Sequence, residues 1–231
     1  MIRISGLERS SLLDYPDKVS AVIFTHGCNL RCPYCHNPEL VIDKFCRRTQ
    51  ITQKYLFQFL KNRKGKLDGV VITGGEPLIH EDLGKFVKKI KDMGYLIKLD
   101  TNGTYPKRLE KLIKENLIDY IAMDVKYPRS DYIKSSARKG ISERITESIE
   151  IIMNSGIDYE FRTTYVKKFH DIKSVDKIGK MIKGADKYYI QNFRAGTTLD
   201  PHLSAVNSFA QKELKEMKKV MNKYVKKVYI R

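Results

Sequence analysis

The residues best suited to chemistry are three cysteines in one short stretch, Thr25-His26-Gly27-Cys28-Asn29-Leu30-Arg31-Cys32-Pro33-Tyr34-Cys35-His36-Asn37. Thiolates select zinc or iron–sulfur clusters. A structural zinc ion takes four closed ligands, commonly from two Cys-x-x-Cys pairs. Here a fourth ligand is missing. Cys46 stands alone eleven residues beyond Cys35, and His36 is adjacent to Cys35, a poor geometry for both to face one ion. A four-iron cluster held by Cys28, Cys32 and Cys35 fits the donor set better, because three thiolates leave one iron open. Gly27 lets the backbone pass close to such a group, and Pro33 stiffens the loop between the second and third thiols. A structural zinc loop is the alternative reading.

Such a loop needs elements to carry it. Residues 19–25 form a β-branched run bounded by Asp17-Lys18 and Gly27, which predicts a buried strand feeding the cysteines. A helix follows over 51–60, capped by Thr49 or Thr52 and ended by Asn62-Arg63-Lys64-Gly65. The alternation then repeats. Strands are predicted at 69–73, 95–99, 120–125, 159–166 and 187–192, with helices at 81–93, 106–115, 141–154 and 175–182. In the 81–93 helix Leu83, Phe86, Val87 and Ile90 share one face. A last helix over about 207–224 places Ala210, Leu214, Met217, Met221 and Tyr224 on one stripe, and its other face is lysine. Six strand-then-helix units predict a parallel sheet with helices outside. Spacing alone leaves an open doubly wound sheet and part of a barrel equally available.

Cys28-x3-Cys32-x2-Cys35, with Tyr34 before the last cysteine, resembles the signature of radical S-adenosylmethionine (SAM) enzymes. The longer stretch from Ser11-Leu12-Leu13-Asp14-Tyr15-Pro16 through His36-Asn37-Pro38-Glu39-Leu40 resembles one branch, the glycyl-radical-enzyme activases, particularly activators of anaerobic ribonucleoside-triphosphate reductase. The resemblance implies an α/β fold, a six-stranded parallel partial (β/α)6 TIM-like barrel of radical SAM type. The expected organisation is a single domain over 1–231, its core at about 19–193, with a C-terminal helix and strand (207–231) packing on it.

In parallel β/α folds, chemistry gathers at the C-terminal ends of strands. Thr73-Gly74-Gly75-Glu76-Pro77 follows the second strand and resembles the segment that holds the SAM amino group in the family, with Gly74, Gly75 and Glu76 as its counterparts here. Asp100-Thr101-Asn102-Gly103 follows the third strand and Met123-Asp124-Val125-Lys126 the fourth. Strand alternation puts Asp124 and Lys126 on one face, and Asp100 and Asn102 on another. Inward carboxylates there are costly unless paired or coordinating. Lys126 is expected to meet the ligand carboxylate, with Asp124 fixing Lys126 or the ribose. The resemblance adds a monovalent cation near Asp100, Thr101 and Asp124, the alternative being solvated turn carboxylates. Arg162 on the fifth strand needs an anion, either the ligand carboxylate or Glu160. Gln191 and Asn192, where the family often has a histidine, are expected near the adenosyl group. Tyr34, Cys35 and His36 border the cluster, and Val125 joins the ligand contacts. His26, His80, His170 and His202 read as loop or helix-cap residues.

The implied reaction is one-electron cleavage of SAM, followed by removal of hydrogen from a glycine of a partner glycyl-radical enzyme. No general base is needed and none is assigned. The alternatives are a radical enzyme acting on a small molecule, similar to a 7-carboxy-7-deazaguanine synthase, and a zinc-containing nucleic-acid-binding protein.

Composition narrows the remaining classes. The 231 residues are 42% hydrophobic and 31% charged, an ordinary globular balance. No apolar run approaches the roughly 20 residues of a membrane span, and Met1-Ile2-Arg3-Ile4-Ser5-Gly6 lacks a signal-peptide core. Four unevenly spaced cysteines do not make a secreted disulfide framework. The expectation is therefore a cytoplasmic, oxygen-poor setting, with Cys46 a bystander thiol. The net charge of +17 is spread over 85–91, 107–114 and 212–227 without interleaved aromatics. That pattern favours an acidic electron carrier, a flavodoxin or ferredoxin, over nucleic acid.

Overall fold

The computed structural model describes residues 2–42, 51–134 and 140–231. Cys46 and the proposed Thr49 cap lie outside them. The eight described strands follow chain order in one sheet, and the chain divides into two compact units.

The first unit holds residues 1–29, 37–101 and 107–121. Its strands are β1 (Ile4–Ser11), β2 (Ser20–Thr25), β3 (Gly69–Gly74), β4 (Leu96–Thr101) and the start of β5 (Tyr120–Asp124), and its helices α1 (Pro38–Val41), α2 (Gln53–Asn62), α3 (Leu83–Lys91) and nearly all of α4 (Pro106–Lys114). β2, β3 and β4 pair in parallel, with Ala21 opposite Val70 and Val70 opposite Ile97. Val22, Ile23, Val71, Ile72 and Leu99 are buried, as are Leu56 and Leu60 of α2 and Phe86, Val87 and Ile90 of α3. Strand runs buried on both faces explain why these segments read as continuous apolar stretches. Thr52 caps α2 by accepting from Tyr55 N.

β1 was absent from the sequence expectation. It pairs antiparallel with β2 along the sheet edge, with register shifts at Gly6 and beyond Glu8. Glu8, Arg9 and Ser10 are exposed, so the segment lacks the apolar alternation by which strands are recognised. Edge strands often carry such charges and bulges.

The second unit holds residues 30–36, 102–106 and 122–231. It contains the end of β5, α5 (Ile141–Met153), β6 (Asp158–Tyr165), α6 (Ile172–Met181), β7 (Lys187–Asn192), α7 (Gln211–Met221) and β8 (Lys227–Ile230). β6, β7 and β8 pair in parallel. α6 begins three residues before the expected start because Asp171 and Ser174 cap each other's backbone N–H groups. The Asp-x-x-Ser pattern was the overlooked signal. On α7, Leu214, Met217 and Met221 are buried as the stripe predicts, whereas Ala210 is the exposed N-cap. Gly179 lets α6 lie against the Tyr224 ring, and Tyr224 Oη donates to Asp176 Oδ1 at 2.6 Å.

Ile72→Ala is expected to lower the unfolding free energy by roughly 2–5 kcal/mol, because the site is fully enclosed. Leu13→Ser, at a side chain 87% exposed, is expected to stay within about 0.5 kcal/mol of the parent. Urea denaturation of the two variants measures both.

Candidate functional site

In the first unit, β2 ends at Thr25 and the chain turns through His26 and Gly27 into Cys28. His26 is buried, its Nδ1 lies 2.9 Å from Ser5 Oγ, and its carbonyl lies 3.0 Å from His80 Nε2. Burial pushes the His80 pKa below its ordinary value, so at neutral pH its ring donates to that carbonyl as a neutral group. Gly27 N donates to Leu40 O at 2.7 Å. The exit of β3 is laid directly on this turn. Gly75 N donates to Thr25 O (3.0 Å) and Glu76 N to Gly27 O (2.8 Å). A Cβ at Gly75 would collide with the Gly27 carbonyl and crowd Cys28 Cβ at 3.2 Å. Glycine here is what lets the Gly74-Gly75-Glu76 backbone touch the cysteine turn.

Glu76 is wholly buried. Its Oε1 accepts from Leu78 N (3.1 Å) and Thr101 Oγ1 (2.8 Å), tying the β3 exit to the end of β4. Asp100 is paired along its own strand, with Lys98 Nζ 2.6 Å from Oδ1 and the lysine only 3% exposed. The cost of this inward carboxylate is met by a lysine two residues earlier on the same face.

In the second unit, Cys32 is buried and Cys35 half-buried, and Cys35 N donates to Cys32 O at 3.0 Å to close the turn. Residues 193–200 brace this turn from one side. Leu199 N donates to Cys35 O (3.0 Å), Asp200 N to Pro33 O (2.9 Å), and His36 Nδ1 lies 3.1 Å from Thr197 O. The His36 ring stacks on Phe193 with centroids 5.2 Å apart. From the other side, Tyr34 is buried against Tyr127 (5.8 Å) and Phe169 (5.9 Å), and its Oη reaches the Lys126 carbonyl at 3.5 Å. Burial, with the Cys32 thiol nearby, pushes the Tyr34 pKa well up, so this ring stays neutral.

Lys126 is held at every polar atom. Its N–H donates to Tyr132 Oη (3.1 Å), its carbonyl also lies 2.9 Å from His170 Nε2, and its Nζ pairs with Asp124 Oδ2 at 3.0 Å. His170 Nδ1 in turn accepts from Val166 N at 3.1 Å, which leaves Nε2 as the protonated donor. Asp124 Oδ1 takes a second cation, Arg162 Nε, at 2.6 Å. The sequence offered a ligand or Glu160 as the Arg162 partner; the structure adds Asp124, and Glu160 faces Arg231 of the last strand at 3.4 Å. Burial alone would raise the Asp124 pKa, but Arg162 and then Lys126 overcome it and hold the carboxyl below its ordinary range. Burial likewise opposes the Lys126 charge, while Asp124 and the Cys32 and Cys35 thiols push its pKa up.

The remaining expected residues have local partners. Asn102 Oδ1 accepts from Thr104 N (3.0 Å) and Oγ1 (2.6 Å), forming the turn after β4. Val125 N donates to Arg162 O (2.9 Å) and its carbonyl accepts from Thr163 Oγ1 (2.5 Å). Gln191 Oε1 lies 3.3 Å from Thr164 Oγ1 across β6 and β7. Lys98, Tyr132 and His170 were missed. Only Lys98 had a signal, its two-residue spacing from Asp100. Among the described residues, no three His, Cys, Asp or Glu side chains form a group suited to one metal ion. The donor set at 28, 32 and 35 is purely thiol, the chemistry of a cluster site.

The model of the Radical SAM superfamily matches residues 22–182. The chain belongs to that superfamily, and its α/β sheet is the radical SAM fold. A Methanocaldococcus jannaschii protein provisionally named a glycyl-radical enzyme activating enzyme is 36% identical, covering 99% of this chain and 95% of its own length. The pyruvate formate-lyase-activating enzyme of Clostridium pasteurianum is 28% identical over 99% of this chain and 98% of that protein. These matches set the chain in the activating-enzyme branch. GTP 3',8-cyclase of Aquifex aeolicus is 28% identical over 92% of the chain and 68% of the cyclase. Among solved structures, Streptococcus suis SuiB bound to the precursor peptide SuiA superposes with a TM-score of 0.69 at 14% identity, covering 91% of this chain and 48% of that one. The chain thus spans about half the length of that structure, and the likeness is one of fold. No described helix is long and apolar enough to cross a membrane.

Asp124→Asn strips the neutralising charge from Arg162 and Lys126 and is expected to cost roughly 3 kcal/mol at pH 7. Because the folded Asp124 pKa is depressed, its contribution is complete above the unfolded value of about 3.9 and is lost as pH falls through the folded value. Urea denaturation from pH 7 to pH 3 is therefore expected to show a constant gap between parent and variant that narrows below about pH 4. Gly75→Ala is expected to cost about 1–3 kcal/mol through its collision with Gly27, read in the same assay.

Proposed function

We propose that this protein is an activase that cleaves S-adenosylmethionine reductively at a four-iron cluster on Cys28, Cys32 and Cys35, and takes a hydrogen from a glycine Cα of a partner glycyl-radical enzyme. The observation that carries this reading is the three-thiol loop within a chain that matches activating enzymes along nearly its whole length. Such a cluster, when bound, supplies the single electron that breaks a carbon–sulfur bond of SAM. The protein's own part is positioning and exclusion of water.

The Gly74 and Gly75 carbonyls are suited to accept from the ligand ammonium, with Glu76 fixing their turn. Lys126 is the cation for the ligand carboxylate, kept charged and aimed by Asp124, with Arg162 on the same carboxylate. Tyr34 and His36 present the backbone of the cysteine turn to the adenine, and Asn102, Val125 and Gln191 complete the adenosyl contacts. Asp100, already neutralised by Lys98, shapes the neighbouring strand exit. An acidic flavodoxin or ferredoxin as electron donor suits the +17 net charge. Anaerobic ribonucleotide reductase is the preferred partner, from the resemblance of residues 11–40, 191–194 and 199–201. The similarity to GTP 3',8-cyclase supports a second reading, a small-molecule substrate.

The test is anaerobic reconstitution, reduction, and addition of SAM with a glycyl-radical enzyme from the same cell, followed by EPR. A glycyl-type doublet that disappears in Cys28→Ala is the expected result. Deoxyadenosine released without a doublet transfers the assignment to a small molecule, and neither product from protein with verified cluster removes the reading.

A further inference from the structure

Two adjoining cavities lie in the second unit between the loop after β6 and the 3-10 turn Arg129–Lys134. One, of about 290 Å³, is walled by Lys167, Lys168, Phe169, His170, Lys173 and Lys177. The other, of about 390 Å³, shares Lys177 and continues past Arg129 to Met181. Together they reach the size of binding clefts that enclose extended ligands.

The charges around this groove are unbalanced. Lys167 is paired with Glu213 at 2.9 Å, Arg129 with Glu143 at 3.5 Å, and Lys180 with Asp176 at 2.7 Å. Lys168, Lys173 and Lys177 have no carboxylate at salt-bridge distance among the described residues. Of the two carboxylates in the wall, Asp171 is engaged in capping α6 and Asp131 accepts from Ser130 Oγ at 2.7 Å. Lys173 favours the ionised Asp171 carboxylate, and the surplus of ammonium groups over carboxylates that remains around the concavity is relieved by an anionic occupant.

The groove's inner end is formed by Phe169 and His170. Phe169 packs on Tyr34, between the second and third cysteines, and His170 holds the Lys126 carbonyl. An occupant therefore lies one side chain away from the cysteine turn, at the C-terminal ends of β5 and β6 where β/α proteins place their chemistry. An electron carrier needs only to approach a surface, whereas a protein substrate must lead a length of chain inward. We propose that this groove receives an extended acidic segment of the protein substrate, through Lys168, Lys173 and Lys177. This rests on the activase reading for the occupant being the substrate protein; the charge recognition stands on the groove alone.

The test uses the reconstituted full-length protein and fluorescence anisotropy of a labelled peptide of glutamates flanking one glycine, against an alanine–glycine control peptide. The triple variant Lys168→Glu, Lys173→Glu, Lys177→Glu is expected to weaken binding by about tenfold or more. An equal charge change on α7, Lys212→Glu, Lys215→Glu, Lys219→Glu, is expected to weaken it by less than about threefold. All six are exposed, so folding is retained and is checked by thermal melting. Equal loss from both triples overturns the proposal, because the overall field then suffices. Binding unchanged by the groove triple, or equal binding of the neutral peptide, overturns it as well. SAM cleavage without partner is expected to be the same in parent and groove triple. If the parent binds the acidic peptide yet forms no glycyl radical on any partner, the activase reading fails while the groove's preference stands.

Discussion

One carboxylate, that of Asp124, holds two cations at the exit of β5. Each of the three charges would be expensive to leave unpaired away from water, so the position of each depends on the other two. Val125 N to Arg162 O sets β5 against β6 in the register that brings the guanidinium to Asp124. The same short stretch anchors the cysteine turn, because the Lys126 carbonyl accepts from Tyr34 Oη and lies within bonding distance of His170. The Lys126 ammonium and the Cys32 and Cys35 turn thereby share one support in the second unit. That support is what a site that works by positioning requires.

The first unit solves the same problem with backbone. Its strand exit is fastened to the cysteine turn by main-chain hydrogen bonds and by a contact too close for any Cβ at residue 75. The buried carboxylate of Glu76 then ties this turn to Thr101. Asp100 repeats the device seen at Asp124, a lysine two residues away along the chain, before the carboxylate in one case and after it in the other. Both strand exits therefore carry acidic groups whose charge is settled within the protein itself.

Most of the lysines responsible for the net charge of +17 stand on helix faces. There, pairs such as Lys88 with Asp92 and Lys114 with Glu110 lie in solvent and are weakened by screening. The contribution of such residues is mainly to the field around the molecule. Where lysines outnumber carboxylates around a concavity, that field acquires a direction.

Periodicity located the parallel strands β2 to β7 but not β8, since a fully buried strand announces itself as an unbroken β-branched run such as Gly69-Val70-Val71-Ile72-Thr73. Residue chemistry and spacing singled out the three thiols and the Asp124–Lys126 pair, because each depends on short intervals that local structure preserves, whereas Gly74-Gly75 was marked by the family resemblance. β1 was not legible: an edge strand is stabilised by its neighbour and needs no apolar alternation of its own. Nor were the partners of Arg162, the three aromatic side chains holding Lys126, or the brace of 193–200 on Cys35 and His36. Apart from Tyr132, six positions from Lys126, these contacts join residues 38 to more than 160 positions apart, and which of many compatible partners meets a given group is decided only when strands pair in register and side chains pack.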